Sequence, residues 1–308
     1  MPEIAPERRR SHGFAARWRW LPGNVRGAVW MLAAALFFSV MLALIKLVGR
    51  HLPVSQVLLL RQMVMFVTVL PVIIAHFPEN MITHRPWLHA GRVLCALTAM
   101  YCGFTAVVHI PLADATAISF AKAFFITIFA IIFLGETVGI RRWMATIVGF
   151  IGVLVMLKPT GGGLNIYGLL ALIGAAAASL VMISIRVLTR TERSITILTY
   201  QAVFVGVVIL PFALWQWVTP TLYELALVVG IGVVSVGGQM CNINAYKAGE
   251  ATVVSSLDFS RLLWATLIGL VLFDQLPGWQ TWAGASLVVS AALYTLIREA
   301  RRGRRLNH

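Results

Sequence analysis

Charge is scarce in this chain. Of its 308 residues only 12% are Asp, Glu, Lys or Arg, about half the share of an average soluble domain, while 59% are hydrophobic. With a mean hydropathy of +0.86, there is too little polar surface to dissolve a globular fold. Acid is the scarcer sign, with 11 Asp and Glu against 25 Lys and Arg, a net charge of +14. In a soluble chain that excess would point to nucleic acid. Here six bases fall in residues 1–26 (Arg8, Arg9, Arg10, Arg17, Arg19, Arg26) and five in residues 298–308 (Arg298, Arg301, Arg302, Arg304, Arg305). No basic stripe with interleaved aromatics crosses a soluble domain, so nucleic acid is excluded as a partner.

Cysteine is equally sparse. Cys95, Cys102 and Cys241 all lie in apolar stretches, with no C-x-x-C pair and no histidine at metal-ligand spacing, and read as small buried hydrophobes. The chain has no H-E-x-x-H, no G-x-S-x-G and no phosphate-binding P-loop, and its seven histidines sit in tails, loops or span ends. No catalytic residue, metal site or cofactor is expected. The first apolar run begins after 26 mostly polar residues and continues for more than 20, too long for the core of a secretory signal, so it is expected to stay as a span.

What the sequence does contain is long apolar runs. A spanning helix needs about 20 apolar residues to cross about 30 Å of hydrocarbon. Cutting the chain at Pro, Gly and charge predicts ten transmembrane helices: 27–48, 55–75, 88–108, 113–134, 141–158, 166–187, 195–216, 222–246, 250–273 and 280–297. The third and fourth are separated only by His109 to Leu112, which leaves one long broken helix open there. The tails and the flanks after the even-numbered spans carry 18 bases, and the opposite flanks carry Lys46, Arg50 and Lys158. Positive flanks stay cytoplasmic, so both termini are expected in the cytoplasm, with the basic tails near anionic lipid.

Residues 159–165, Pro-Thr-Gly-Gly-Gly-Leu-Asn, read as a linker between two five-helix halves, 27–158 and 166–297. Phe120-Ala121-Lys122 followed by Thr127 matches Phe259-Ser260-Arg261 followed by Thr266 at an offset of 139, which also pairs Trp143 with Trp282. Asp114-Ala115-Thr116 resembles Glu250-Ala251-Thr252 at an offset of 136. Five spans is an odd number, so the second half must cross in the opposite sense. Inverted repeats are a recurrent plan of secondary transporters, with the substrate near the midplane between the halves. Ala171, Ala175 and Ser179 recur every four residues in span six, a stripe read first as ordinary close helix packing.

Charges at membrane depth require a partner, a water-filled cavity or an escape to the interface. Four bases and one acid lie inside spans: Arg61, Arg92, Lys122, Arg261 and Asp258. Arg92 is about 6 Å into its span and is expected to snorkel, while Arg61, about 9 Å in, is read equally as snorkelling or cavity-lining. Lys122 and Arg261 lie about 13 and 16 Å deep, near the midplane, and are repeat equivalents. Asp258 and Arg261 share a helix face. Two readings stand for this trio, a network that locks the bundle and a direct lining of the transport path. Candidate ligand contacts around it are Tyr101, Phe120, Phe124, Phe259 and Trp264 for stacking, and Gln239, Asn242 and Asn244 for hydrogen bonding. Packing, interfacial anchoring and interhelical bonds are the competing roles of these residues.

At this point the chain resembles EamA-type members of the drug/metabolite transporter superfamily along nearly its whole length. The resemblance is carried by Arg61 in span two, Phe133-Leu134-Gly135-Glu136 after span four, Ala245-Tyr246, Leu262-Leu263-Trp264-Ala265 and Phe273-Asp274-Gln275-Leu276-Pro277. Gln275 stands where many members have an acid, and Ala123 lies near where many have a helix-breaking Pro. A mechanism resting on either feature is not carried over. The run Asp258-Phe259-Ser260-Arg261-Leu262-Leu263-Trp264 is similar to that of bacterial members linked to S-adenosylmethionine or riboflavin uptake. The resemblance implies a secondary active transporter of a small organic metabolite across the bacterial inner membrane by alternating access. Riboflavin, S-adenosylmethionine and amino acids are the candidate solutes, and a channel or a membrane-embedded enzyme is the alternative class. The expected partners are that small-molecule substrate and membrane lipids, with a homodimer left open.

Overall fold

The computed structural model describes residues 22–135, 140–156, 165–249, 254 and 257–306. Among these there is no strand. The helices are α1 (Gly23–Val48), α2 (Val54–Ala75), α3 (Pro86–His109), α4 (Leu112–Ser119), α5 (Lys122–Leu134), α6 (Ile140–Met156), α7 (Ile166–Leu188), α8 (Ser194–Trp215), α9 (Leu222–Ala248), α10 (Arg261–Phe273) and α11 (Trp279–Leu306). Short 3-10 turns occupy Glu79–Met81 and Asp258–Ser260.

The boundaries follow from local chemistry. Pro22, Pro53 and Pro111 sit just before α1, α2 and α4, where a missing N–H costs nothing. Thr221 and Glu224 form a reciprocal capping box at the start of α9. Asn165 caps α7 by accepting from the Tyr167 N–H at 3.0 Å. α5 and α10 end on left-handed residues, Gly135 (φ 64°) and Asp274 (φ 51°), which stand 139 positions apart. Pro71 in α2 and Pro211 in α8 are likewise 140 apart, each inside its helix.

The packing repeats the same relationship. α1 runs along α9 as α3 runs along α7; α5 lies against α7 as α10 lies against α1; α2 pairs with α8 and α6 with α11. Exchanging the first five segments for the second five maps this pattern onto itself. α6 and α11 approach closely enough that a Cβ on Gly152 would lie 2.6 Å from the Gly284 carbonyl oxygen, so both positions require glycine.

Counting α4 with α5, and the Asp258–Ser260 turn with α10, ten helical segments follow the ten expected positions. Seven are long and apolar enough to cross a membrane: Gly23–Val48, Val54–Ala75, Pro86–His109, Leu112–Leu134, Ile166–Leu188, Thr196–Trp215 and Leu222–Ala248. α6 contributes the shorter apolar stretch Ile147–Met156. α10 has 13 residues, and α11 continues through the basic C-terminal residues to Leu306. Most of the expected linker, and Glu250 to Val253 of the expected ninth span, lie outside the described residues.

The third and fourth segments are not one broken helix. Ile110 is extended (φ −111°, ψ 165°) and Pro111 follows, so α3 ends and α4 starts afresh. The break falls instead inside segment four, between Ser119 and Lys122, and it forms there without a proline.

Candidate substrate site

The charged residues sit at the break between α4 and α5 and at the Asp258–Ser260 turn that precedes α10. Phe120 N–H donates to the Ala117 carbonyl at 3.2 Å and Ala121 N–H to Ile118 at 2.9 Å, bonds three residues back that tighten the chain between α4 and α5. The Asp258–Ser260 turn leads into α10 in the same way. Each turn delivers a cation as the first residue of the next helix, Lys122 or Arg261. The turns touch, because the Phe120 and Phe259 rings meet edge to face with centroids 4.8 Å apart.

Asp258 lies between the cations. Arg261 Nη2 donates to Asp258 Oδ1 at 2.6 Å, a charge-assisted bond, while Lys122 Nζ stands 3.9 Å from Oδ2, beyond hydrogen-bond range. The Arg261 guanidinium also rests 4.8 Å from the Phe38 ring centroid. Among the described residues the layer therefore holds two positive charges and one negative. The Lys122 side chain is 33% exposed, against 21% for Asp258 and 19% for Arg261.

Trp264 lies three residues beyond Arg261 on α10, partly exposed, with its indole Nε1 enclosed and without a hydrogen-bond partner. The other candidates have different surroundings. Arg61 Nε donates to Ser235 Oγ at 3.2 Å, and its guanidinium lies 5.9 Å from the Phe104 ring, tying α2 to α9 and α3. Phe124 is buried, and its ring occupies the space beside Gly149, where a Cβ would come within 1.9 Å of it. Tyr101 lines a separate cavity of about 380 Å³ between α2, α3 and α8, together with Ser55, Thr98 and Gln216. On α9, Gln239 is exposed and Asn242 half-buried. Among the described residues, the hydrogen bonds and ion pairs of the trio reach none of these five.

A family model described as the EamA-like transporter family matches residues 25–158 and again residues 165–297. The chain belongs to that family. Its two matches are the two repeats. An S-adenosylmethionine uptake transporter of Rickettsia prowazekii is 27% identical over 89% of this chain and 94% of its own length. A riboflavin transporter of Rhizobium johnstonii is 31% identical over 91% and 94%, and a pseudopaline exporter of Pseudomonas aeruginosa 28% identical over 87% and 94%. A protein of known crystal structure shares the fold with a TM-score of 0.60 at 18% identity, covering 92% of this chain and 99% of that one.

Three features of this EamA-type chain escape a reading of the sequence. Arg92 does not snorkel: it is 1% exposed, donating from Nη1 to the Ile197 carbonyl at 3.1 Å and from Nη2 to Gln201 Oε1 at 2.5 Å. α8 supplies acceptors inside the bundle, and these replace the interface as its escape. Gln62 and Gln201, 139 apart and each inside a span, were the available signal, since Gln62 Nε2 donates to the Ala202 carbonyl at 3.1 Å in the same seam. Lys46 is not a solvated flank base. It is 2% exposed, and its Nζ donates to the carbonyls of Val107 (2.8 Å) and Ile110 (2.5 Å) at the end of α3, 5.7 Å from the Phe273 ring. At the other end of the molecule, His89 Nε2 lies 2.9 Å from Glu192 Oε2, and Glu192 Oε1 accepts from Thr83 Oγ1 and from the His84 N–H at 3.1 Å. Burial opposes ionisation of Glu192, but these bonds outweigh it and hold its carboxyl below the ordinary value.

Proposed function

We propose that this chain is a secondary active transporter moving a small organic metabolite across a bacterial inner membrane by alternating access. The observation that carries the reading is the meeting of two repeat-equivalent turns, each presenting a cation, around a single shared carboxylate. Inverted-repeat carriers place substrate at interrupted helices between their halves, where otherwise costly midplane charges become useful. The proposed arrangement is ten spans in two inverted repeats, 27–158 and 166–297, joined by 159–165, with the basic tails of residues 1–26 and 298–308 both in the cytoplasm.

Both ends of the bundle carry cross-ties, which alternating access would release in turn. At one end Lys46 draws the last residues of α1 and α3 together beneath Phe273 of α10. At the other end Glu192, just after α7, accepts from Thr83 Oγ1 and the His84 N–H and meets His89 Nε2 at 2.9 Å. In the proposed topology the Lys46 end is periplasmic, so this conformation is held shut on that side. Transport requires one set of ties to open while the other holds, around the fixed charged layer.

The relatives include uptake proteins and an exporter, so the reading commits to carriage and not to its direction. S-adenosylmethionine, riboflavin and amino acids are the solutes to test. Purified protein in liposomes should show saturable uptake of one of them, with counterflow when the lumen is preloaded. Rapid unsaturable flux would replace the carrier by a channel, and appearance of a product would replace it by an enzyme.

A further inference from the structure

The two cations of the charged layer are equivalent by repeat but not by environment. Arg261 is the more closely held, although its buried Nε has no hydrogen-bond partner. Its Nη2 is bonded to Asp258 at 2.6 Å, its guanidinium faces Phe38 at 4.8 Å, its Nε is sealed from solvent, and its carbonyl accepts from Ser39 Oγ at 3.2 Å. Lys122 has only a counterpart of the last of these constraints, its carbonyl lying 2.9 Å from Ser179 Oγ, whose proton it shares with the Ala175 carbonyl at 2.7 Å. The backbone of Lys122 is therefore held while its flexible four-carbon stem is left to move. Its ammonium stands 3.9 Å from a carboxylate already engaged by Arg261, on the most exposed side chain of the three.

Resting on the transport reading above, we propose that the cations divide their roles: Arg261 and Asp258 form a permanent structural pair, and Lys122 receives a carboxylate of the substrate. The charge balance selects that class. With Arg261 cancelled by Asp258, one positive charge remains, and a single carboxylate neutralises it. A phosphate dianion would leave the layer negative. A ligand with neither group, such as riboflavin, would leave the layer with one positive charge in excess at membrane depth, where uncompensated charge is costly. The substrate is thus a metabolite whose carboxylate meets Lys122 and completes the layer, and any ammonium or sulfonium it also carries must be met outside the trio. Because Arg261 needs no exchange of partner, the empty site keeps its shape between turnovers.

The test has arms that fail separately. Full-length Lys122→Gln should give monodisperse protein within about twofold of the parent yield, whereas Arg261→Gln should lose most of it, because Asp258 then keeps only the 3.9 Å approach of Lys122 in place of a 2.6 Å bond. The reverse order of yields would overturn the division of roles. With Cys95, Cys102 and Cys241 replaced by Ala, Lys122→Cys should react with the anionic thiol reagent sulfonatoethyl methanethiosulfonate and Arg261→Cys should not. An inert Lys122→Cys would refute the open position of that side chain. In liposomes, S-adenosylmethionine, its decarboxylated analogue, glutamate and riboflavin serve as probes. A carboxylate-bearing probe should be carried, with its half-saturation raised about tenfold or more by Lys122→Gln and largely restored by Lys122→Arg. Transport of riboflavin, or of the decarboxylated analogue, unaffected by Lys122→Gln would overturn the substrate class. If the parent protein moves none of the probes, the transport reading fails, while yield and labelling still judge the division of roles.

Discussion

Ser39 and Ser179 stand 140 residues apart and reach equivalent carbonyls, those of Arg261 and Lys122. Ser39 Oγ donates to the Arg261 carbonyl at 3.2 Å, and Ser179 Oγ divides its one proton between the Lys122 carbonyl at 2.9 Å and the Ala175 carbonyl of its own helix at 2.7 Å, so a serine from one half reaches the turn that begins the cation-bearing helix of the other. Both serines are fully buried. Loss of a typical neutral hydrogen bond costs about 0.5–1.5 kcal/mol, with more when the buried acceptor finds no other partner. Ser39→Ala and Ser179→Ala should each lower thermal stability in detergent by that order, and the double variant by close to the sum, since the sites share no partner. Unchanged melting in both single variants would show that the turns hold themselves.

Lys46 closes its end of the bundle with two carbonyls of α3 and the face of Phe273. Lys46→Gln removes the charge and most of the reach. Leu112, fully buried beside this closure, gives a reporter. In a background without the native cysteines, Leu112→Cys should react with a membrane-impermeant maleimide several-fold faster when Lys46 is replaced. Equal rates would mean that the Lys46 bonds do not control access at that end.

The sequence displays what depends on counting and periodicity. Apolar run length gave the helical segments, and the offset of 139 between Lys122 and Arg261 led to two turns that do meet in space. It could not display what depends on the partner helix. Arg92 looked able to snorkel because its depth was measured along its own helix, whereas α8 offers it Ile197 and Gln201 across the bundle. Phe124 shares the layer of Lys122 in sequence, but its ring fills the space left by Gly149. Tyr101 was placed by depth alone, and depth does not distinguish a central cavity from the separate one it lines. Neither the 2.6 Å pairing of Asp258 with Arg261 nor the looser approach of Lys122 follows from spacing, because spacing allows both cations the same acid.

The excess of bases at alternate flanks predicts both termini in the cytoplasm, and α11 carries its helix into the basic C-terminal stretch as far as Leu306. A C-terminal alkaline phosphatase fusion in a bacterial host should be inactive, and a fluorescent protein fused at the same point should mature. Enzymatic activity of the phosphatase would place that end in the periplasm and reverse the assignment of the Lys46 closure.

Glu192 ties the turn between α7 and α8 to the segment between α2 and α3 through His89, Thr83 and the His84 N–H. Its carboxyl is held below the ordinary glutamate value, since hydrogen bonds to the charged form outweigh the opposing effect of burial. A depressed acid binds its proton less readily when folded than when unfolded. Its stabilisation is therefore complete above the unfolded value of 4.5 and is lost as pH falls through the lower folded value. Glu192→Gln should lower stability by about 1–3 kcal/mol at pH 7, the usual cost of removing one partner of a buried charge-assisted bond. The gap between parent and variant should narrow as pH falls below the unfolded value of 4.5, as the parent carboxyl becomes protonated and loses the same interaction. Melting curves of both proteins across that range decide the matter. A gap that persists undiminished at the lowest pH would assign the effect of the substitution to shape rather than charge.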